Sequence, residues 1–218
     1  VIIPLLPLYI FGIFLNMTHS GQVAGIMGVF LKIIVVIFVM TVVLLFIQFV
    51  IAGIIGKKNP FCLFRNMLPA YMTALGTQSS AATIPVTLEQ TIKNGVRPDL
   101  AGFVIPLCAT IHLSGSTMKI VACAMAIILM SGMDIHFGQL AGFIMMLGIA
   151  MVAAPGVPGG AIMAALGLLQ SMLGFDETAQ GLMIALYIAM DSFGTATNVT
   201  GDGAIAVIVD RINDGRKS

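Results

Sequence analysis

Charge is what this sequence lacks most: of its 218 residues only 9% are Asp, Glu, Lys or Arg, while 59% are hydrophobic. A soluble domain carries roughly 25% charged residues, so this chain has too little polar surface to face water on all sides. With tryptophan absent and a mean hydropathy of +1.07, the composition is that of a membrane protein. The net charge is only +1, and no basic stripe is present to neutralise phosphates, which excludes nucleic acid as a partner. Cysteine is scarce as well. Cys62, Cys108 and Cys123 are an odd, scattered set with neither disulfide nor metal-ligand spacing, and are expected to be buried small hydrophobes. Neither an initiator Met nor a basic segment precedes the opening VIIPLLPLYIFGIF, so the expectation is a missing amino-terminal portion rather than a signal peptide.

What is present is a series of apolar segments with conspicuous interruptions. Ile33 to Ile55 is uncharged and exceeds the ~20 residues that cross the hydrocarbon. The pattern predicts an all-α membrane protein divided into a scaffold helix (1–22), a long transmembrane helix (23–58), a hairpin (59–96) broken by GTQSSAATIP, a helix (97–133) broken by HLSGS, a second hairpin (134–175) broken by APGVPGG, and a C-terminal broken helix with a basic tail (176–218). Bilayers tolerate such breaks only where the freed backbone is buried in protein or lines a wet cavity. If both hairpins are re-entrant, Lys57, Lys58, Arg65, Lys93, Arg97, Arg211, Arg216 and Lys217 fall on one side, opposite Lys32, Asp134, His136, Asp176 and Glu177. Eight of the ten basic residues then share the face that the positive-inside rule assigns to the cytoplasm.

The chain also echoes itself. His112-Leu113-Ser114-Gly115-Ser116 matches Asn198-Val199-Thr200-Gly201-Asp202 in kind at four of five places, and each string follows one hairpin. Paired broken segments in corresponding halves point to an inverted-repeat transporter with its site at the midplane.

SSAATIPVT (79–87), PLCATIHLSGST (106–117), PGVPGGAIM (155–163) and TNVTGDGAIAVIV (197–209) resemble, in order, four landmarks of the dicarboxylate/amino acid:cation symporter family, the glutamate transporter homologues: first hairpin tip, broken seventh helix, second hairpin tip and eighth helix. The resemblance covers essentially the whole chain and implies that it starts at the family's fifth helix. It further implies a homotrimer in the plasma (inner) membrane, an elevator-type transport domain gated by the hairpin tips, an amino acid substrate and Na+ coupling. Carried over residue by residue, Asp191 would bind the substrate ammonium, with Ser79, Ser80, Ser116, Val157, Pro158, Gly159, Thr195 and Asn198 around the substrate. Thr110, His112, Ser114, Asn198 and Asp202 would form the cation sites.

Physical chemistry agrees in part. An ionised Asp at bilayer depth marks a functional site by default. Asp191 and Asp202 lie eleven residues apart, about three helical turns, and so on roughly one face; both are expected to face one shared dehydrated pocket. Unwinding near Gly201 would free carbonyls for a hard cation beside Asp202.

Departures from the resemblance bear on substrate and coupling. Acidic-substrate members carry arginine where this chain has Gly194, and Gln78 is neutral where several have arginine, so no guanidinium fork is at hand for a second carboxylate. A small neutral amino acid of the serine/threonine/alanine kind is therefore expected. The alternative is an acidic amino acid or dicarboxylate whose cationic partner comes from elsewhere than residue 194. The family's Asn-Met-Asp-Gly-Thr is here His112-Leu113-Ser114-Gly115-Ser116, one carboxylate fewer, and Lys119 follows on the same helix face. Lys119 or protonated His112 is expected to replace a missing cation, with H+ coupling in addition to Na+ or instead of it; the alternative is a hydrogen-bonded neutral His112 and a Lys119 that snorkels to the interface. A serine next to His112 superficially suggests hydrolase chemistry, but nothing around it supplies a positioned nucleophile and base; the protein is not expected to be an enzyme.

Overall fold

A computed structural model describes residues 23–214, together with positions 8, 11, 12, 15, 18 and 19 before them. The scaffold helix expected over 1–22 therefore lies largely outside the described residues, as do Arg216 and Lys217 of the basic tail. Among the described residues every regular element is helical: α1 Val23–Gly56, α2 Pro60–Thr77, α3 Ser80–Lys93, α4 Pro98–Ile111, α5 Ser114–Ser131, α6 Phe137–Met151, α7 Gly160–Leu173, α8 Glu177–Ala189 and α9 Asp191–Asp214.

Local sequence accounts for most of the boundaries. Asn59 caps α2, its side chain accepting from Phe61 N at 2.9 Å, and Pro60 opens the helix where a missing N–H costs nothing. Asp176 caps α8 in the same way through Ala179 N at 2.8 Å. Gly132 and Gly174 end α5 and α7 in left-handed conformations (φ 63° and 69°) that side chains with a Cβ rarely adopt. α1 is apolar on all faces, and its Phe30–Gly56 stretch is long enough to span a bilayer, as is Pro98–Ser131 taken through its break.

Two helical hairpins organise the fold. α2 and α3 return to their starting point: Asn94 Nδ2 donates to Leu63 O (3.1 Å), and Lys58 Nζ donates to Asn94 O (2.6 Å). α6 and α7 do the same, with Gln139 Nε2 donating to Met172 O at 2.6 Å. The first hairpin packs with α4, α9 and the C-terminal half of α1 around Phe49, Met67, Ile105 and Val207. The second packs with α5, α8 and the N-terminal half of α1 around Ile37, Ile120, Leu147 and Leu169. Arg97 and Asp210 join the starts and ends of that first cluster at 2.8 Å, and this hydrogen bond raises the guanidinium's pKa further above its ordinary value. Cys108 and Cys123 are buried as expected, but Cys62 is exposed: it falls on the outer face of α2, away from the buried Leu63, Met67, Ala70 and Ala74.

α9 is the least apolar of these helices and has Thr195, Thr197, Asn198, Thr200 and Asp202 all buried. The first hairpin, α1, α4 and α5 pack around it. The expected unwinding near Gly201 is not found, since α9 runs unbroken from Asp191 to Asp214. The break lies earlier, at Met190, where α8 and α9 bend by 60°. Gly201 serves close approach instead: a Cβ there would stand 2.7 Å from both Gln48 Oε1 and His112 Cε1.

Candidate functional site

The hairpin tips meet. Gln78 takes a left-handed conformation (φ 53°) and Ser79 caps α3, accepting from Ala82 N at 3.2 Å. The same hydroxyl donates across to Gly156 O in the second tip at 2.9 Å, and Ala81 N reaches that carbonyl at 3.4 Å. Gly156 fits because nothing projects from it: a Cβ would lie 2.8 Å from Ala109 O. Gln78 Nε2 donates to Ser192 Oγ at 2.8 Å, tying the first tip to α9.

Beneath the tips lies a cavity of about 10 Å³, room for about one water. Its walls include Ser80, Ser116, Val157, Asp191, Thr195 and Asn198, all expected substrate-site residues, together with Gln78 and Tyr187. Gly159 contributes through its backbone, whereas Pro158 is exposed on the tip and Ser79 is engaged in the tip contact. Asp191 is the first residue of α9, where the helix N-terminus favours an anion. Its Oδ2 accepts from Gly159 N at 2.8 Å and its Oδ1 from Lys119 Nζ at 3.2 Å. Lys119 is 0% exposed, which corrects the snorkelling alternative. Its ammonium also donates to Met190 O at 3.3 Å and sits 3.5 Å from the centre of the Tyr187 ring. Gly194 leaves it that space, as a Cβ there would lie 2.9 Å from Nζ.

Asp202 belongs elsewhere. It is 1% exposed and bonds through Oδ1 to His112 Nδ1 at 2.8 Å. Gln48 from α1 approaches His112 Nε2 at 3.4 Å and donates to Ser114 Oγ at 3.2 Å. The two acids thus occupy separate networks rather than one pocket. Eleven residues of helix keep them on a common face but about 16 Å apart along its axis, too far for a cavity this small. Asn198 stands between them, and its Oδ1 accepts from Gly115 N (2.7 Å) and Ser116 N (3.3 Å) while Nδ2 donates to Ser116 Oγ (2.9 Å). That oxygen is already committed to capping α5, whose own N-cap residue Leu113 offers no side-chain acceptor. Thr110 is exposed and donates to Leu107 O, outside both networks. Near Asp202 the oxygens are of the kind a hard cation prefers: its own carboxylate, Ser114 Oγ and Gln48 Oε1, which is buried without a hydrogen-bond partner among the described residues. Among the described residues no His, Cys, Asp and Glu cluster suits a transition metal.

The echo seen in sequence becomes reciprocal contact in space. The first residue of one string meets the last of the other, His112 with Asp202 and Asn198 with Ser116. Such exchange of roles is what a two-fold relation between two segments produces. The glycines allow it, since a Cβ at Gly115 would sit 2.7 Å from Thr197 Cβ.

The family model for the sodium:dicarboxylate symporter family matches residues 1–212. The chain belongs to that family. Excitatory amino acid transporter 1 of Rattus norvegicus is 31% identical over 206 residues, which cover 93% of this chain and 37% of that protein. An excitatory amino acid transporter of Caenorhabditis elegans is 33% identical over 70% of this chain and 30% of its own length, and excitatory amino acid transporter 2 of Homo sapiens 32% identical over 72% and 27%. The chain thus spans about a third of the length of the curated relatives it matches. As a member of the sodium:dicarboxylate symporter family it is a multi-pass membrane protein of a transporter class, and the hydrolase alternative around Ser114 falls away. Gln48, Tyr187 and Ser192 are the site residues that sequence reasoning missed. Gln48 alone carried a signal, as an amide inside an otherwise apolar span.

Proposed function

We propose that the chain is the transport core of a secondary active symporter in the plasma (inner) membrane that couples inward sodium movement to uptake of a small neutral amino acid such as serine, threonine or alanine. The observation that carries this reading is Asp191, the one carboxylate in the lining of the pocket, neutralised from behind by the buried Lys119 at 3.2 Å. The pair leaves the pocket without net charge, so a zwitterion adds none, whereas a dianion would bury uncompensated charge. In this reading Asp191 takes the substrate ammonium, and the polar first tip at Ser79 and Ser80 takes the carboxylate. Asp202, Ser114 and Gln48 take sodium. The hairpins are re-entrant gates over 59–96 and 134–175, moved as part of an elevator within a homotrimer.

A specific observation favours a second reading, an acidic amino acid or dicarboxylate with Na+ or H+ coupling. Lys119 brings a cation to the space beside Gly194, and the relatives are named for excitatory amino acids. Thermal stabilisation of the purified full-length protein by serine, alanine, aspartate and succinate, in sodium or in choline, separates the two. Stabilisation by serine only in sodium supports the first reading. Stabilisation by aspartate or succinate instead of serine supports the second, and equal effects in choline refute sodium coupling.

A further inference from the structure

We propose that Lys119 is a tethered surrogate for the substrate's ammonium: in the empty protein it occupies the Asp191 carboxylate, and through Asp191 it keeps the second hairpin tip closed at Gly159. The proposal rests on Asp191 being the amine site of the reading above. Its basis is a single chain of contacts. Lys119 Nζ lies 3.2 Å from Asp191 Oδ1 and 3.3 Å from Met190 O, at the bend between α8 and α9. There it meets the carbonyl end of one helix and the carboxylate that opens the next, both of which attract a cation. The other oxygen of the same carboxylate holds Gly159 N at 2.8 Å. From the opposite side, Ser79 Oγ holds Gly156 O of that tip. The closed tip therefore depends on an Asp191 that is already neutralised, and only about 10 Å³ remains beneath it.

A buried carboxylate without a counter-charge is strongly unfavourable. A carrier whose substrate ammonium has left faces that situation each time it closes empty, and here the chain supplies the ammonium itself. An incoming amine must take Asp191 from Lys119, so the lysine acts as a competitor built into the site and weakens apparent affinity by the fraction of time it holds the acid. Gly194 is part of the device, because any side chain there would crowd Nζ.

The test uses the full-length protein in three variants. Lys119→Met removes the competitor while preserving bulk, and serine affinity in saturating sodium is expected to tighten by about tenfold or more. Lys119→Ala leaves a cavity as well as an unpaired acid, and millimolar ethylammonium is expected to raise its Tm while leaving the wild type unmoved; ethanol, with the same shape and no charge, serves as control. Lys119→Arg keeps the charge and binds Asp191 with a fork, so serine affinity is expected to weaken severalfold, and this variant stands in should the others fail to fold. Weaker serine binding in Lys119→Met would overturn the proposal, because it would mean that the lysine binds the substrate rather than competing with it. Absence of ethylammonium rescue, or unchanged affinity in Lys119→Arg, would overturn it too. Rescue by ethylammonium in a protein that ignores serine would sink the neutral amino acid reading and leave the latch standing.

Discussion

Asn198→Ala isolates one side chain that caps a helix it does not belong to. α5 begins at the break after His112, and no residue of its own accepts the first amides. The Asn198 carboxamide does so from a different helix, at 2.7 Å to Gly115 N and 3.3 Å to Ser116 N. Both donors are buried, so truncation strands two N–H groups at about 1–3 kcal/mol each, with the longer bond counting for less; the total is about 2–4 kcal/mol. For a unit of this size the melting temperature should fall by about 4–16 °C. Thermal unfolding followed by far-ultraviolet circular dichroism, in sodium-free choline buffer, measures the cap without any contribution from cation binding. Asn198→Asp is the control: its carboxylate can accept both amides at a helix N-terminus that favours an anion, which offsets part of the cost of burying the charge, so it should be less destabilised than Asn198→Ala. An Ala variant as stable as wild type in choline, or an Asp variant as unstable as Ala, would refute the capping role.

Gly156→Ala should abolish transport while leaving the helical core intact, because in this closed arrangement of the tips the new Cβ would meet Ala109 O at 2.8 Å; uptake into proteoliposomes beside a thermal melt checks it, and wild-type uptake would disprove it. His112→Ala should cost about 1.5–3 kcal/mol by removing the hydrogen-bond partner of the buried Asp202, and adding Asp202→Ala should recover much of that loss. A double-mutant cycle on unfolding free energy reads the coupling, and strict additivity would show that the 2.8 Å contact is energetically idle.

Much of the architecture was legible along the chain. The hairpins were read from where Gly and Pro interrupt apolar runs and where lysine and arginine collect at the ends; in the structure Lys58 on Asn94 O and Gln139 on Met172 O tie together the two ends of each helix pair. Less legible was what each glycine was for. Gly201 was expected to unwind α9, yet it sits in regular helix and admits Gln48 and His112. The same missing Cβ permits either outcome, and only the neighbours decide which. The shared pocket for Asp191 and Asp202 failed for a related reason: helical periodicity reports which face a residue is on and says nothing of where along the helix its partners stand.

Composition alone determined that this protein lives in a membrane, because charge that is not present cannot be supplied by folding. The order of its broken segments determined its family. Tertiary structure decided the partners: Lys119 with Asp191 and His112 with Asp202 are 72 and 90 residues apart. Each pairing depends on side-chain reach across a helix crossing, a distance set by packing between elements and written in no local stretch of the chain.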